Sequence, residues 1–358
     1  MKKVVIISNA PAPYRDPVYE LLSLKEDIDL TLIYCSKIEP KRNWSLRKYS
    51  HKTLFLNSKT FTFGEHSFYF GFDVIKHLRS IEPEVIITTS LAFPMLLSFL
   101  YAYVNDIKHI YFTDATLVTE AKLSIIHKLL RRIIFSKSKA FIGPSDASKE
   151  LYKSYGISEA SFFKSHLCVD NKKYLNGVSI KDRKYELLFV GQFIDRKCPD
   201  FFVSVVCRLA IKLGSCNVRI VGSGPLQETF IQKLKSTNAN ITFDGFVQQD
   251  KLPDIYRSSK LLLMPTKEDC WGVVANEALA SGTPVVTNKE AGVAGELVIE
   301  KTSGRVLELN VSKWTEEIMK LLTNEELLQR MSDDGVSIVS NYTFTNARKG
   351  IYDAIQSV

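Results

Sequence analysis

Two carboxylates, Asp269 and Glu277, flank a glycine, Gly272, in the run Asp269-Cys270-Trp271-Gly272-Val273-Val274-Ala275-Asn276-Glu277. The run continues through Ala278-Leu279-Ala280-Ser281-Gly282-Thr283-Pro284-Val285-Val286, so it reads as a loop opening a short helix, a glycine turn and a strand. A glycine at a helix mouth lets a ligand come close to the backbone. The N–H groups of the first turn, near Val273 and Val274, suit a phosphate. Glu277, one turn further in, can accept hydrogen bonds from neutral hydroxyls, while Asp269 stands at the entrance. The combination fits a sugar joined to a phosphate. A buried helix with an internally satisfied Glu277 is the competing reading.

Three upstream turns carry related chemistry. Val190-Gly191-Gln192 is followed by Arg196-Lys197, two cations just past a strand end. A guanidinium fork beside an ammonium suits a diphosphate, and a solvated basic loop is the alternative. Val221-Gly222-Ser223-Gly224-Pro225-Leu226 starts like a dinucleotide fingerprint, but Pro225 and the missing third glycine break that pattern. A tight glycine turn near a ligand still fits. Phe243-Asp244-Gly245-Phe246-Val247 adds a further glycine turn, whose Phe246 suits either a nucleotide base or the core.

These turns need strands to present them. Short apolar segments alternate with helical stretches, the pattern of parallel sheets covered by helices. The first half offers strands at Val4–Ser8, Asp29–Tyr34, Val85–Thr89, His109–Thr113 and Ala140–Gly143. The second offers Leu187–Val190, Val218–Val221, Ile241–Phe243, Leu261–Met264 and Pro284–Thr287. At 358 residues the chain exceeds what one core usually serves, so two domains are expected. Open sheets of this kind bind ligands beyond the carboxyl ends of their strands.

Composition narrows the class further. With 45% hydrophobic and 24% charged residues the chain reads as an ordinary globular protein. Six scattered cysteines, without a CxxC pair, favour a reducing compartment and no structural metal. The opening Met1–Asn9 is too short in its apolar run for a signal peptide, and Leu91–Val104 too short for a membrane span. The formal charge is +8, and residues 1–180, with 25 Lys+Arg against 17 Asp+Glu, hold the whole excess. A basic half-protein implies an anionic neighbour. Nucleic acid is disfavoured, because aromatic and basic residues are not interleaved.

In order and spacing, the turns at Gly191–Lys197 and Val221–Leu226 and the Asp269–Glu277 element resemble the retaining glycosyltransferases of family 4, the group 1 glycosyl transferases. The resemblance covers nearly the whole chain and is strongest from Leu187 to Val286. It implies the GT-B fold, two Rossmann-like domains facing each other across a cleft. Residues 1–170 would form the acceptor-side domain, with a terminal helix 344–358 packing back on it. Residues 171–183 would be a linker and 184–343 the nucleotide-sugar domain. It further implies a nucleotide-diphosphate sugar as donor, UDP-linked in preference to GDP-linked, with no bound cofactor and no metal.

By the same resemblance Glu277 would hold the donor ribose, with Gly191, Gly222, Ser223, Phe246 and Val247 around the nucleotide. Gly272, Val273 and Val274 would offer N–H groups to phosphate or sugar. Arg196 and Lys197 would neutralise the leaving diphosphate, and Asp269 would contact hydroxyls of the transferred sugar. Several positions depart from the family: Asp269 stands where Glu is common, Gln192 where Arg is common and Cys198 where Gly is usual. The glycine-rich first loop is replaced by Asn9–Pro17, in which Tyr14 and Arg15 become the acceptor-side candidates. Relatives often place a His at the cleft end of a mid-domain strand. Here Asp114 holds that end of His109–Thr113, and is preferred over His109 as a sugar or acceptor contact. A loop Asp capping the next segment is the alternative.

The basic excess also has a candidate seat. In Ala121–Lys137 the residues Leu123, Ile126, Leu130, Ile133 and Ile134 share one helical arc, and Lys128, Arg131 and Arg132 another. Such a helix suits an anionic membrane surface, where lipid-linked acceptors reside, or packs its apolar arc on the core. The expectation is a cytoplasmic enzyme, peripheral on the inner face of the membrane, acting on a glycan or lipid-linked acceptor in bacterial surface polysaccharide or glycoconjugate synthesis. A GT-B nucleotide-sugar epimerase and a non-catalytic nucleotide-sugar sensor are the rivals.

Overall fold

Val4–Ile7 and Leu187–Phe189 are continuous apolar runs with both faces buried, the signature of central strands in parallel sheets. In a computed structural model, which describes residues 1–39, 50–63, 66–175 and 178–358, each run lies inside its own sheet. The chain divides into two compact units: Met1–Cys168 together with Phe344–Val358, and Val169–Thr343.

The first unit contains β1 (Lys2–Ser8), β2 (Ile28–Tyr34), β3 (Lys52–Phe55), β4 (Lys59–Phe63), β5 (His66–Phe70), β6 (Val85–Thr88), β7 (Lys108–Phe112), β8 (Ala140–Gly143) and β9 (Phe162–Lys164). Seven of these form a parallel sheet in the order β3-β2-β1-β6-β7-β8-β9. The hairpin β4–β5 stands apart as an antiparallel pair in which Phe61 faces Phe68. The helix Phe344–Gln356 packs on this unit. Lys2 Nζ donates to the carbonyls of Ile355 and Val358, each at 3.0 Å, and Tyr352 donates to Asp27 at 2.8 Å.

The second unit contains β10 (Tyr185–Val190), β11 (Asn217–Val221), β12 (Asn240–Gly245), β13 (Ser259–Met264), β14 (Val285–Thr287) and β15 (Gly304–Val306), ordered β12-β11-β10-β13-β14-β15 and parallel throughout. Its core stacks Phe189, Phe193, Phe202 and Phe230 against Trp314 and Leu328 from the later helices.

The segment 171–183 is not a free linker. Tyr174 and Ile180 are buried in the second unit, and Arg183 donates to Val178, Ser259, Thr283 and Ser281. The four lysine and arginine side chains there suggest solvent, but a guanidinium with five donors can be buried when carbonyls surround it. Residues 176 and 177 of that segment lie outside the described residues.

Candidate functional site

At the carboxyl ends of β10, β11 and β12, main-chain bonds knit three loops together. Gly191 N–H donates to Val221 O at 3.0 Å, Phe193 N–H to Ser223 O at 3.0 Å and Gly222 N–H to Gly245 O at 2.8 Å. Gly222 has a φ of +137°, and a Cβ there would lie 1.8 Å from the Gly191 carbonyl oxygen. Only glycine permits that approach. Ser223 and Val247 are half-buried, and Phe246 is exposed just past β12. Its ring therefore stands at a strand end, outside the core.

Beside these loops Arg196 and Lys197 occupy a short turn, Asp195–Lys197, closed by Cys198 at φ +49°. Lys197 pairs with Asp269. Burial alone would raise the Asp269 carboxyl, but the adjoining Lys197 ammonium and the charge of Arg196 outweigh it and hold the group below the usual carboxylate range. Arg196 Nη1 donates to Glu268 O at 3.3 Å, and Thr266 Oγ1 sits 2.9 Å from Arg196 O and 2.8 Å from Glu268 O. The Asp269 backbone is clamped by the loop after β14. Its N–H donates to Glu290 O at 3.0 Å, and its carbonyl accepts from Gly292 N–H at 2.8 Å.

Gly272 caps the helix Val273–Ala280 at φ +105°, with no side chain capping the first turn. The first-turn N–H groups of any α-helix lack intrahelical acceptors, so this end is electropositive. It opens next to the Asp269–Lys197 pair. Asp269, Lys197, Arg196 and Gly272 are thus brought together from two loops more than seventy positions apart in sequence.

Glu277 lies deeper, 4% exposed. Tyr256 donates to its Oε2 at 2.6 Å and Tyr174 to its Oε1 at 3.2 Å. Burial pushes its carboxyl up to about 7, against the downward pull of the two hydroxyls. Each carboxylate oxygen retains a further lone pair for another donor. Sequence reasoning missed both tyrosines, along with Thr266 and the Glu290–Gly292 clamp. The clamp had a signal, being a loop that follows a strand; the tyrosines had none, since nothing in a single chain links positions 174, 256 and 277.

In the first unit the acceptor-side candidates divide. Arg15 is buried, its guanidinium 4.4 Å over the Phe112 ring. Its Nη1 donates to Ser165 O at 3.0 Å and Oγ at 3.2 Å, and to His166 O at 3.3 Å, while Nη2 binds Asp114 Oδ1 at 3.0 Å. Arg15 is therefore a bracket between the ends of β7 and β9, rather than an open anion contact. Asp114 is 39% exposed and does not cap the next helix, a task taken by Thr116. Tyr14 is half-buried beside them. His109 is core: it bonds Thr88 Oγ1 at 3.0 Å and Ser138 Oγ at 2.8 Å, and burial drives its imidazole down to about 3.

The basic helix, Ile125–Lys137, corrects the sequence reading at two points. Arg131 faces inward and pairs with buried Glu120, so it is absent from the cationic surface. Of the apolar arc, only Ile134 is buried; Ile126 and Ile133 are exposed. Lys128 is half-buried, with Nζ 3.3 Å from Ala121 O, and Arg132 is exposed.

Among the described residues no cluster of three or more His, Cys, Asp or Glu is arranged to hold a metal ion, and no helix is long and apolar enough to cross a membrane. All six cysteines are free thiols.

Anabaena HepE, solved in complex with UDP, superimposes over 100% of both chains with a TM-score of 0.78 at 13% identity. The fold is GT-B. Residues 170–336 match the model of the family described as glycosyl transferases group 1. Among curated proteins, an uncharacterized glycosyltransferase of Methanocaldococcus jannaschii is 28% identical over 168 residues, 46% of each chain. The 2-deoxystreptamine N-acetyl-D-glucosaminyltransferase of Niallia circulans is 28% identical over 155 residues, 41% of this chain and 39% of that protein. The chain thus spans less than half the length of these curated relatives. The matched region contains every residue of the Asp269–Lys197 constellation and the Glu277 pocket within one GT-B unit.

Proposed function

We propose that this chain is a retaining glycosyltransferase that moves a sugar from a nucleotide-diphosphate sugar, UDP-linked in preference to GDP-linked, to a hydroxyl of a glycan or lipid-linked acceptor. The observation that carries the reading is the convergence of Lys197, Arg196 and Asp269 on the uncapped mouth of the helix Val273–Ala280. UDP in the HepE structure supports the choice of base.

Breaking the bond between sugar and diphosphate develops positive charge on the ring and negative charge on the departing phosphate. Arg196, Lys197 and the N–H groups of Gly272–Val274 stabilise the negative charge where it appears. Phosphate competes with Asp269 for Lys197, which leaves Asp269 to accept from hydroxyls of the transferred sugar. Glu277, with Tyr174 and Tyr256, holds the ribose, and Phe246 covers the base. Attack comes from the leaving-group face, a phosphate oxygen taking the acceptor proton, so the anomeric configuration is kept. Acceptor contacts belong to the first unit, at Tyr14 and Asp114, with Arg15 fixing the Asp114 carboxylate.

The enzyme works in bacterial surface polysaccharide or glycoconjugate synthesis, peripheral on the inner face of the cytoplasmic membrane, with Lys128 and Arg132 facing anionic lipid. Proton NMR of the first product formed tests the mechanism. The donor's anomeric configuration is expected in the product, and an inverted product contradicts it.

A further inference from the structure

The helix Ile125–Lys137 carries apolar side chains on its outer face as well as its inner one. Of its thirteen residues only Arg131, Ile134 and Phe135 are buried, and the arginine reaches inward to Glu120. Outward stand Ile125 at 84% exposure, Ile126 at 70%, Leu129 at 57% and Ile133 at 49%. Their spacing of three and four positions makes one strip along the helix. A surface helix in water keeps its outer face polar, so this strip is made for an apolar medium.

Charge names the medium. From Ala121 to Ser145 there are six Lys and Arg and not one Asp or Glu, and of the six only Arg131 is buried. Arg132 and Lys137 are exposed on the same helix as the strip. A second copy docked by two-fold symmetry would bring this cationic patch against itself, whereas an anionic bilayer offers acyl chains to the strip and headgroups to the cations.

Neighbouring elements extend the same surface. The helix Phe93–Val104 shares a core cluster with Ile134 and Phe135 through Leu96 and Phe99, and Lys137 lies 5.4 Å over its Tyr103 ring. At its other end Phe93 packs on Phe70 and Phe72, with ring centroids 5.7 and 5.0 Å away. Phe70 and Phe72 are themselves exposed, at the end of the hairpin β4–β5 that belongs to neither large sheet. Both helices begin at the carboxyl edge of the first sheet, since each returns between parallel strands.

We propose that the helix Ile125–Lys137 inserts Ile125, Ile126, Leu129 and Ile133 into an anionic bilayer, with Arg132 and Lys137 at the headgroups and the hairpin aromatics as a second anchor. This deepens the peripheral-membrane reading, on which it rests for the leaflet, by making apolar insertion the main hold.

Co-sedimentation of the full chain with phosphatidylglycerol–phosphatidylcholine vesicles at 0.1 M and 1 M NaCl tests it. Binding is expected to weaken with salt but to persist at 1 M. Ile126→Ser and Leu129→Ser are each expected to lower the partition coefficient about tenfold at both salts. Arg132→Gln and Lys137→Gln are expected to lower it about fivefold, at low salt only. All four positions are exposed, so the melting temperature should hold. Binding that vanishes at 1 M salt and ignores the Ser variants would overturn insertion while keeping an electrostatic peripheral protein. No binding at either salt overturns both. A concentration-dependent dimer, lost in the Ser variants and indifferent to vesicles, assigns the strip to a second copy and overturns the proposal.

Discussion

Glu277 shows how burial sets chemistry. A carboxyl that titrates at about 7 in the fold and near its ordinary value of 4.5 in the unfolded chain binds more protons when folded across that interval. Stability therefore falls as pH rises from about 4.5 to about 7, and this contribution is level above it. His109 and His166 act the other way: burial lowers them to about 3 and about 4, so their neutral forms favour folding as pH rises towards 6.5. Comparing Glu277→Gln with the parent isolates the one group. Urea midpoints at pH 5 and pH 7.5 should show the parent losing stability relative to Glu277→Gln, and equal pH slopes would contradict the buried-carboxyl reading. Asp269, one helical mouth away, is the reverse case, kept ionised by Lys197 despite its burial.

At the scale of elements, the donor-side loops depend on a few backbone contacts that no side chain can replace. Gly222→Ala should destabilise the protein by about 3 kcal/mol, through its positive φ and the forced displacement of the Gly191 carbonyl. Chemical denaturation measures it, and a cost below about 1 kcal/mol would mean that the turn has room the geometry denies. Much of the frame was legible. All ten sequence-based strands coincide with strands, most of them because central parallel strands are buried on both faces and read as unbroken apolar runs, while Ile241–Phe243 lies in the partly exposed edge strand β12. The short edge strands β3, β9 and β15 escaped, being only three or four residues long. The hairpin was missed although Thr60-Phe61-Thr62-Phe63 alternates visibly; its aromatic face had no sheet to explain it. In Ile125–Lys137 the 3.6 period gave a helix but not which side faces out, because periodicity fixes a stripe and not the medium it meets. Arg15 failed similarly: composition marks a cation, but only the fold shows carbonyls of Ser165 and His166 closing around it.

Across the whole molecule, the two units carry different burdens. The loops that resemble a donor site, and the residues matched by the group 1 family, all fall between Val169 and Thr343. The charge excess and the exposed apolar strip fall in the first unit. That division fits the proposed transfer from a soluble anionic donor to an acceptor at a surface. The donor half of the claim is open to direct measurement, by titrating UDP into the protein in a calorimeter. The donor reading predicts saturable one-to-one binding. It also predicts that Lys197→Ala weakens this binding at least about tenfold, the share of one charge-assisted contact to phosphate. A folded protein that takes up no UDP, GDP or other nucleoside diphosphate, or binds equally well without Lys197, would contradict it.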